Sequence, residues 1–141
     1  MIRETTRHLR RYYPQVKRVG VLSTTGTYRT HIYPELLEPA GFVVLVPDEA
    51  VQETAVHPAI YHPQYGIKAQ GKATSQSQEW LRQGIENLRQ QGAEAIILGC
   101  TEIPLAITEN KIGATAVIDP TTILARALIR EANPAKLRPL T

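Results

Sequence analysis

Four short apolar runs constrain this chain more than any other feature. "VKRVGVLST" (16–24), "FVVLVP" (42–47), "AEAIILG" (93–99) and "ATAVID" (114–119) are each four to eight residues long at their apolar centre and rich in β-branched types. Segments with helical patterning separate them. The run around Ile96 carries no polar alternation, the mark of a strand covered on both faces, as in a parallel sheet. Strands that alternate with helices predict an α/β lobe: three layers, with a parallel sheet of roughly four strands flanked by helices.

The helical segments carry their own punctuation. "IRETTRHLRRYY" predicts an opening helix stopped by Pro14. "THIYPELLEPAG" places Ile32, Leu36 and Leu37 at helical spacing, with Pro34 predicting a late start or a kink. "DEAVQETAVHPAIY" predicts a helix broken near Pro58, and "HPQYGIKAQGK" a loop. "SQSQEWLRQGIENLRQQG" has a Leu81, Ile85, Leu88 stripe, a capping box from Ser75 and Gln78, and Gly92 as its stop. "DPTTILARALIREANP" opens with Asp119 as N-cap and Pro120 at the first helical position.

With 141 residues, the chain suits a single domain. One cysteine leaves no internal disulfide, and no leader or bilayer-length apolar run is visible, so a cytoplasmic protein without membrane contact is expected. Net charge is +3, and six basic residues fall within the first 18. No nucleic-acid motif accompanies them, so they predict a solvated helix face and no nucleic-acid partner. His8, His31, His57 and His62 show no metal spacing with Cys100, which argues against a metal site.

In open α/β sheets, ligands gather beyond the carboxyl ends of the strands. "STTGT", "PDEA" and "GCTE" are the loops expected there. Cys100 is either an acid/base or nucleophile facing a cleft, or a small buried hydrophobe. A helix starting just after it would favour the thiolate. Ser23, Thr24, Thr25 and Thr27 either cradle a carboxylate or simply cap a helix. Lys68 is a point charge for an anion, or a surface lysine.

"GVLSTTGTYRTHIY", "IYHPQYGIKAQGK", "GAEAIILGCTEIPLAI" and "VIDPTTILARALI" together resemble, in order, the second half of aspartate/glutamate racemases. These are cofactor-independent enzymes that invert an amino acid between two cysteines. The resemblance implies that Cys100 is one of those two acid/bases. It implies that Thr24, Thr27 and Thr101 hold carboxylate oxygens and that Lys68 meets the side-chain carboxylate of aspartate or glutamate. Glu102, where glutamate racemases usually carry His, points to the aspartate branch. No cofactor is implied.

Members of that family have two lobes with one cysteine each, and only the second lobe's motifs stand in this sequence. Residues 1–13 resemble the connecting helix, and 120–133 the helix that returns toward the first lobe. An inactive product, a separately encoded first lobe, or a homodimer with two copies of Cys100 across one cleft are the outcomes this implies. Other readings are a maleate isomerase, hydantoin racemase or decarboxylase type of the same fold, and a non-catalytic lobe that binds acidic amino acids or a partner protein.

Overall fold

The computed structural model describes residues 1–139. Five strands form one sheet: β1 (Arg18–Leu22), β2 (Val43–Leu45), β3 (Ala95–Leu98), β4 (Lys111–Ile112) and β5 (Thr115–Ile118). Their order is β2-β1-β3-β5-β4. Four are parallel, as expected. The fifth, β4, adds to the roughly four parallel strands expected. It runs antiparallel to β5 at the sheet edge, and two residues are too few to show a period-2 pattern.

Helices cover both faces. On one, α1 (Ile2–Tyr12) and α3 (Ile32–Leu37) set Leu9, Tyr33 and Leu37 against Val19, Val21 and Ile97. On the other, α5 (His57–Tyr61) and α7 (Ser75–Gln90) set Ile60, Leu81, Ile85 and Leu88 against Leu22, Ile96 and Leu98. Each fully buried Leu or Ile there contributes about 1.5–3 kcal/mol of transfer free energy. Gly84 lets α7 come this close: a Cβ at that position would lie 2.7 Å from both Leu22 and Val56. The last helix, α8 (Pro120–Ala132), packs beside α1. It buries Pro120 and Ala127 but leaves Leu128 61% and Ile129 40% exposed.

Several local expectations hold and several shift. Asp119 caps α8 by accepting from Thr121 N–H at 2.9 Å, with Pro120 at the first position. The capping box of α7 lies one residue earlier than expected. Thr74 accepts from Ser77 N–H at 3.1 Å, and Thr74 N–H donates to the buried Ser77 hydroxyl at 2.8 Å. The segment at 25–37 is two helices, α2 (Thr25–Thr30) and α3, separated by His31 in the left-handed region (φ 53°). That break resets the helical phase, so Tyr33 and Leu37 point inward while Ile32 and Leu36 face out. Pro34 then falls in the first turn of α3, where its missing N–H is harmless.

The helical path around Pro58 is continuous and does not break there. The short α4 (Glu49–Val51) passes through a π-turn at Gln52–Val56 directly into α5. The wider turn relaxes the crowding that a proline imposes on the preceding turn of helix. In the loop expected at 62–72, a single turn of helix, α6 (Ile67–Gln70), carries Lys68.

Candidate active site

Two strands fix the frame. The chain passes from β1 to β2 on one side, and from β3 by way of β4 to β5 on the other. The gap between β1 and β3 is therefore the topological switch point, the place where open α/β sheets bind ligands. Leu22 and Leu98 are register partners across that gap. Thr24 and Cys100 each lie two residues further on, so the sheet brings the "STTGT" and "GCTE" turns side by side. "PDEA" does not join them: Asp48 is tied to Asn87 of α7 in both directions, at 3.0 and 2.7 Å.

The turn after β1 is built from neutral groups. Thr24 is the N-cap of α2; its Oγ1 accepts from Thr27 N–H at 3.3 Å and lies 3.1 Å from the Thr27 hydroxyl. The capping role is thus realised, and both threonines stay at the rim. Gln52, buried behind the turn, donates from Nε2 to Ser23 C=O and to Thr25 Oγ1, each at 3.2 Å. Thr25 Oγ1 also lies 2.9 Å from His57 Nδ1.

The turn after β3 is built from charges. One carboxylate, Glu102, gathers the three predicted residues of this half. Its Oε2 accepts from Cys100 Sγ–H at 2.9 Å and from the Thr101 hydroxyl at 2.9 Å, and its Oε1 lies 3.3 Å from Lys68 Nζ. Burial first, then the hydrogen bond to Glu102, pushes the Cys100 thiol from its ordinary 9.0 up to about 11. Cys100 is therefore a thiol at neutral pH. Glu102 is lowered, chiefly by the Cys100 hydrogen bond, and Lys68 is raised, chiefly by its bond to Glu102.

The condition for a helix-stabilised thiolate is not met. No helix begins after Cys100: residues 101–102 form a turn and Ile103–Leu105 a single 3-10 turn, so no helix dipole favours a thiolate.

Aromatic rings join the two turns. His57 stacks on Tyr61 with centroids 5.0 Å apart, and Lys68 Nζ lies 5.3 Å from the centre of the Tyr61 ring. A continuous line of contacts thus runs from the buried Gln52 through Thr25, His57, Tyr61, Lys68 and Glu102 to Cys100. Sequence reading did not single out Gln52, His57 or Tyr61 for this site. Their signal was the unbroken i, i+4 pairing of His57 with Tyr61, which the expected break at Pro58 concealed.

A separate cavity of about 600 Å³ lies between α1, α8 and the 104–110 segment, lined in part by His8, Tyr13, Asn110, Asp119 and Arg126. It contains none of the predicted site residues. Among the described residues, no group of three or more His, Cys, Asp or Glu side chains could hold a metal ion. No helix among them is long and apolar enough to cross a membrane.

This geometry can be set beside known proteins. The sequence profile of the Asp/Glu/Hydantoin racemase family matches residues 1–128. A glutamate racemase from Limosilactobacillus reuteri is 31% identical over 107 residues, 74% of this chain and 37% of its own length. An uncharacterised protein from Pectobacterium carotovorum is 35% identical over 93 residues, 66% of this chain and 57% of its own. An aspartate racemase homologue from Pyrococcus horikoshii superposes with a TM-score of 0.73 at 30% identity, over 93% of this chain and 54% of that one. The aspartate racemase of Picrophilus torridus gives 0.67 at 27%, over 93% and 51%. The chain spans about half the length of the solved structures it matches. With the fold, the register and the matched span in agreement, this chain belongs to the Asp/Glu/Hydantoin racemase family and has the extent of a single lobe of it.

Proposed function

We propose that this lobe supplies one half of a cofactor-independent racemase site for aspartate or glutamate, with Cys100 as its acid/base. The observation that carries the reading is the Glu102 carboxylate. It binds Cys100, Thr101 and Lys68 together at the switch point, beside the Thr24 turn. In the reaction, a second base removes the Cα proton and the C–H electron pair moves into the α-carboxylate. Cys100 returns a proton to the opposite face and becomes a thiolate. Racemisation in the other direction reverses these roles.

Each neighbour has a physical task. Thr24, Thr27 and Thr101 present hydroxyls to the α-carboxylate, where negative charge builds up and fixed donors count most. Lys68, a compact ammonium 40% exposed at the rim, pairs with the side-chain carboxylate and selects an acidic substrate over a neutral one. A hydantoin, with no such carboxylate, would leave it unused. Glu102 orients the Cys100 S–H until substrate arrives. A lone working thiol suits the reducing cytosol.

The second thiol comes from outside this lobe. A homodimer with two copies of Cys100 facing one another is the arrangement a two-fold interface allows, and a separately encoded first lobe is the other source. Exchange of the aspartate α-proton in deuterium oxide, followed by NMR, is the test. Cys100→Ser should abolish the exchange; persistence at the wild-type rate ends the proposal.

A second reading has one observation in its favour. The same carboxylate occupies both the thiol and the lysine, as in a lobe that binds acidic amino acids without turning them over. Calorimetric binding of aspartate with no exchange, even after a first lobe is added, would select it.

A further inference from the structure

Tyr33 is the polar side chain at this site that no contact explains. It is 3% exposed and packs with Leu9, Leu37 and Val21 on the α3 face of the sheet. Its phenol oxygen is fully buried and has no hydrogen-bond partner among the described residues. It also reaches the top of the sheet. A Cβ built on Gly99 would lie 3.2 Å from Tyr33 Oη and 3.1 Å from Ser23 Cβ, so the hydroxyl stands in the gap between the β1 and β3 turns.

An unpaired buried hydroxyl costs stability, and phenylalanine would fill the same core volume without that cost. Such orphans call for an explanation in a native structure. Burial first, and the nearby Cys100 second, push the phenol up to about 12, so it remains a neutral donor at every physiological pH. A second orphan stands close by: Gln52 Oε1, behind the same Ser23 turn, is also buried without a partner.

We propose that Tyr33 is a substrate-binding residue: its O–H donates a hydrogen bond to the α-carboxylate of an acidic amino acid seated over Gly99. The inference rests on the racemase reading above. It adds a donor from beneath the site, on the group that receives the electron pair. Gly99 is required because any side chain there would lie between the phenol and the ligand.

The test is Tyr33→Phe in the full chain, read by calorimetry with aspartate and with glutamate and by thermal unfolding without ligand. Affinity should fall about tenfold for both ligands, since a hydrogen bond to a charged group is lost. The two losses should match, because the contact is to the carboxylate the ligands share. The ligand-free Tm should hold or rise. Unchanged affinity in the variant, while the wild type binds, overturns the role of Tyr33 and leaves the racemase reading standing. A lowered Tm, showing that Oη serves the fold, or a loss confined to one ligand does the same. If the wild type binds neither amino acid, both fall together.

Discussion

The turn after β1 and the turn after β3 sit on adjacent strands at matching register, yet they are stabilised in opposite ways. Thr24 and Thr27 satisfy each other through neutral hydroxyls and backbone N–H groups, with Gln52 bracing them from behind. Cys100, Glu102 and Lys68 hold one another by charge and by a titratable thiol. The first turn is a seat whose Thr24–Thr27 bonds are made by neutral groups. The second stores a proton that can move. A site for proton transfer needs both: one wall that keeps the substrate still and one that changes its charge.

Substitutions can break this contrast. Glu102→Gln should have the largest effect. With the carboxylate gone, the thiol loses its charged acceptor and negative neighbour, and its pKa falls. Alkylation of Cys100 by iodoacetamide at pH 8.5 should speed up about tenfold for each unit of that fall. No change in rate would show that burial alone holds the proton.

Thr24→Ala should cost about 1 kcal/mol, the usual loss for an N-cap, and lower Tm by a few degrees. Its alkylation profile should match the wild type; a shifted profile would mean that the two turns are coupled.

A pH titration sharpens the same contrast. The folded-state thiol is raised from 9.0 to about 11, so the fold binds that proton more tightly than the unfolded chain does. Its contribution to stability is therefore full below pH 9 and is lost as pH rises from 9 through 11. Denaturant midpoints should fall over that window in the wild type, and less in Cys100→Ala.

Lys68→Met should have the smallest effect on folding, about 0.5 kcal/mol or less, because the Lys68–Glu102 pair is partly exposed. A large loss would make it a structural pair.

Much of the frame was legible because it repeats a pattern. β3, with four buried residues in a row, and α7, with its Leu81, Ile85, Leu88 stripe, announce themselves through period and length. Asp119-Pro120 marks its helix start by chemistry alone. Cys100, Thr24, Thr27 and Lys68 stood out as residue types in loops, while Thr101, and Glu102 as a group that orients Cys100, came only with the family resemblance. That Thr101 and Lys68 join Cys100 on the one carboxylate was not legible, because Glu102 acts by where the turn points it. His31, a left-handed residue with a side chain, hid the division between α2 and α3. Tyr33 was not singled out from the sequence, and its orphaned hydroxyl is visible only once its neighbours are placed.

The π-turn at Gln52–Val56 has a further consequence. Gln52 and His57 are five residues apart, a spacing that would set them on different sides of an ordinary helix, yet both reach the Thr25 hydroxyl. Deleting one residue from this turn would restore 3.6-residue winding and swing everything after it by about 100°. His57 and Tyr61 would rotate off the rim and Pro58 would be driven into the preceding coil. The segment thus works as a phase adjuster, in which a single surplus residue aims the following helix at the Thr25 turn.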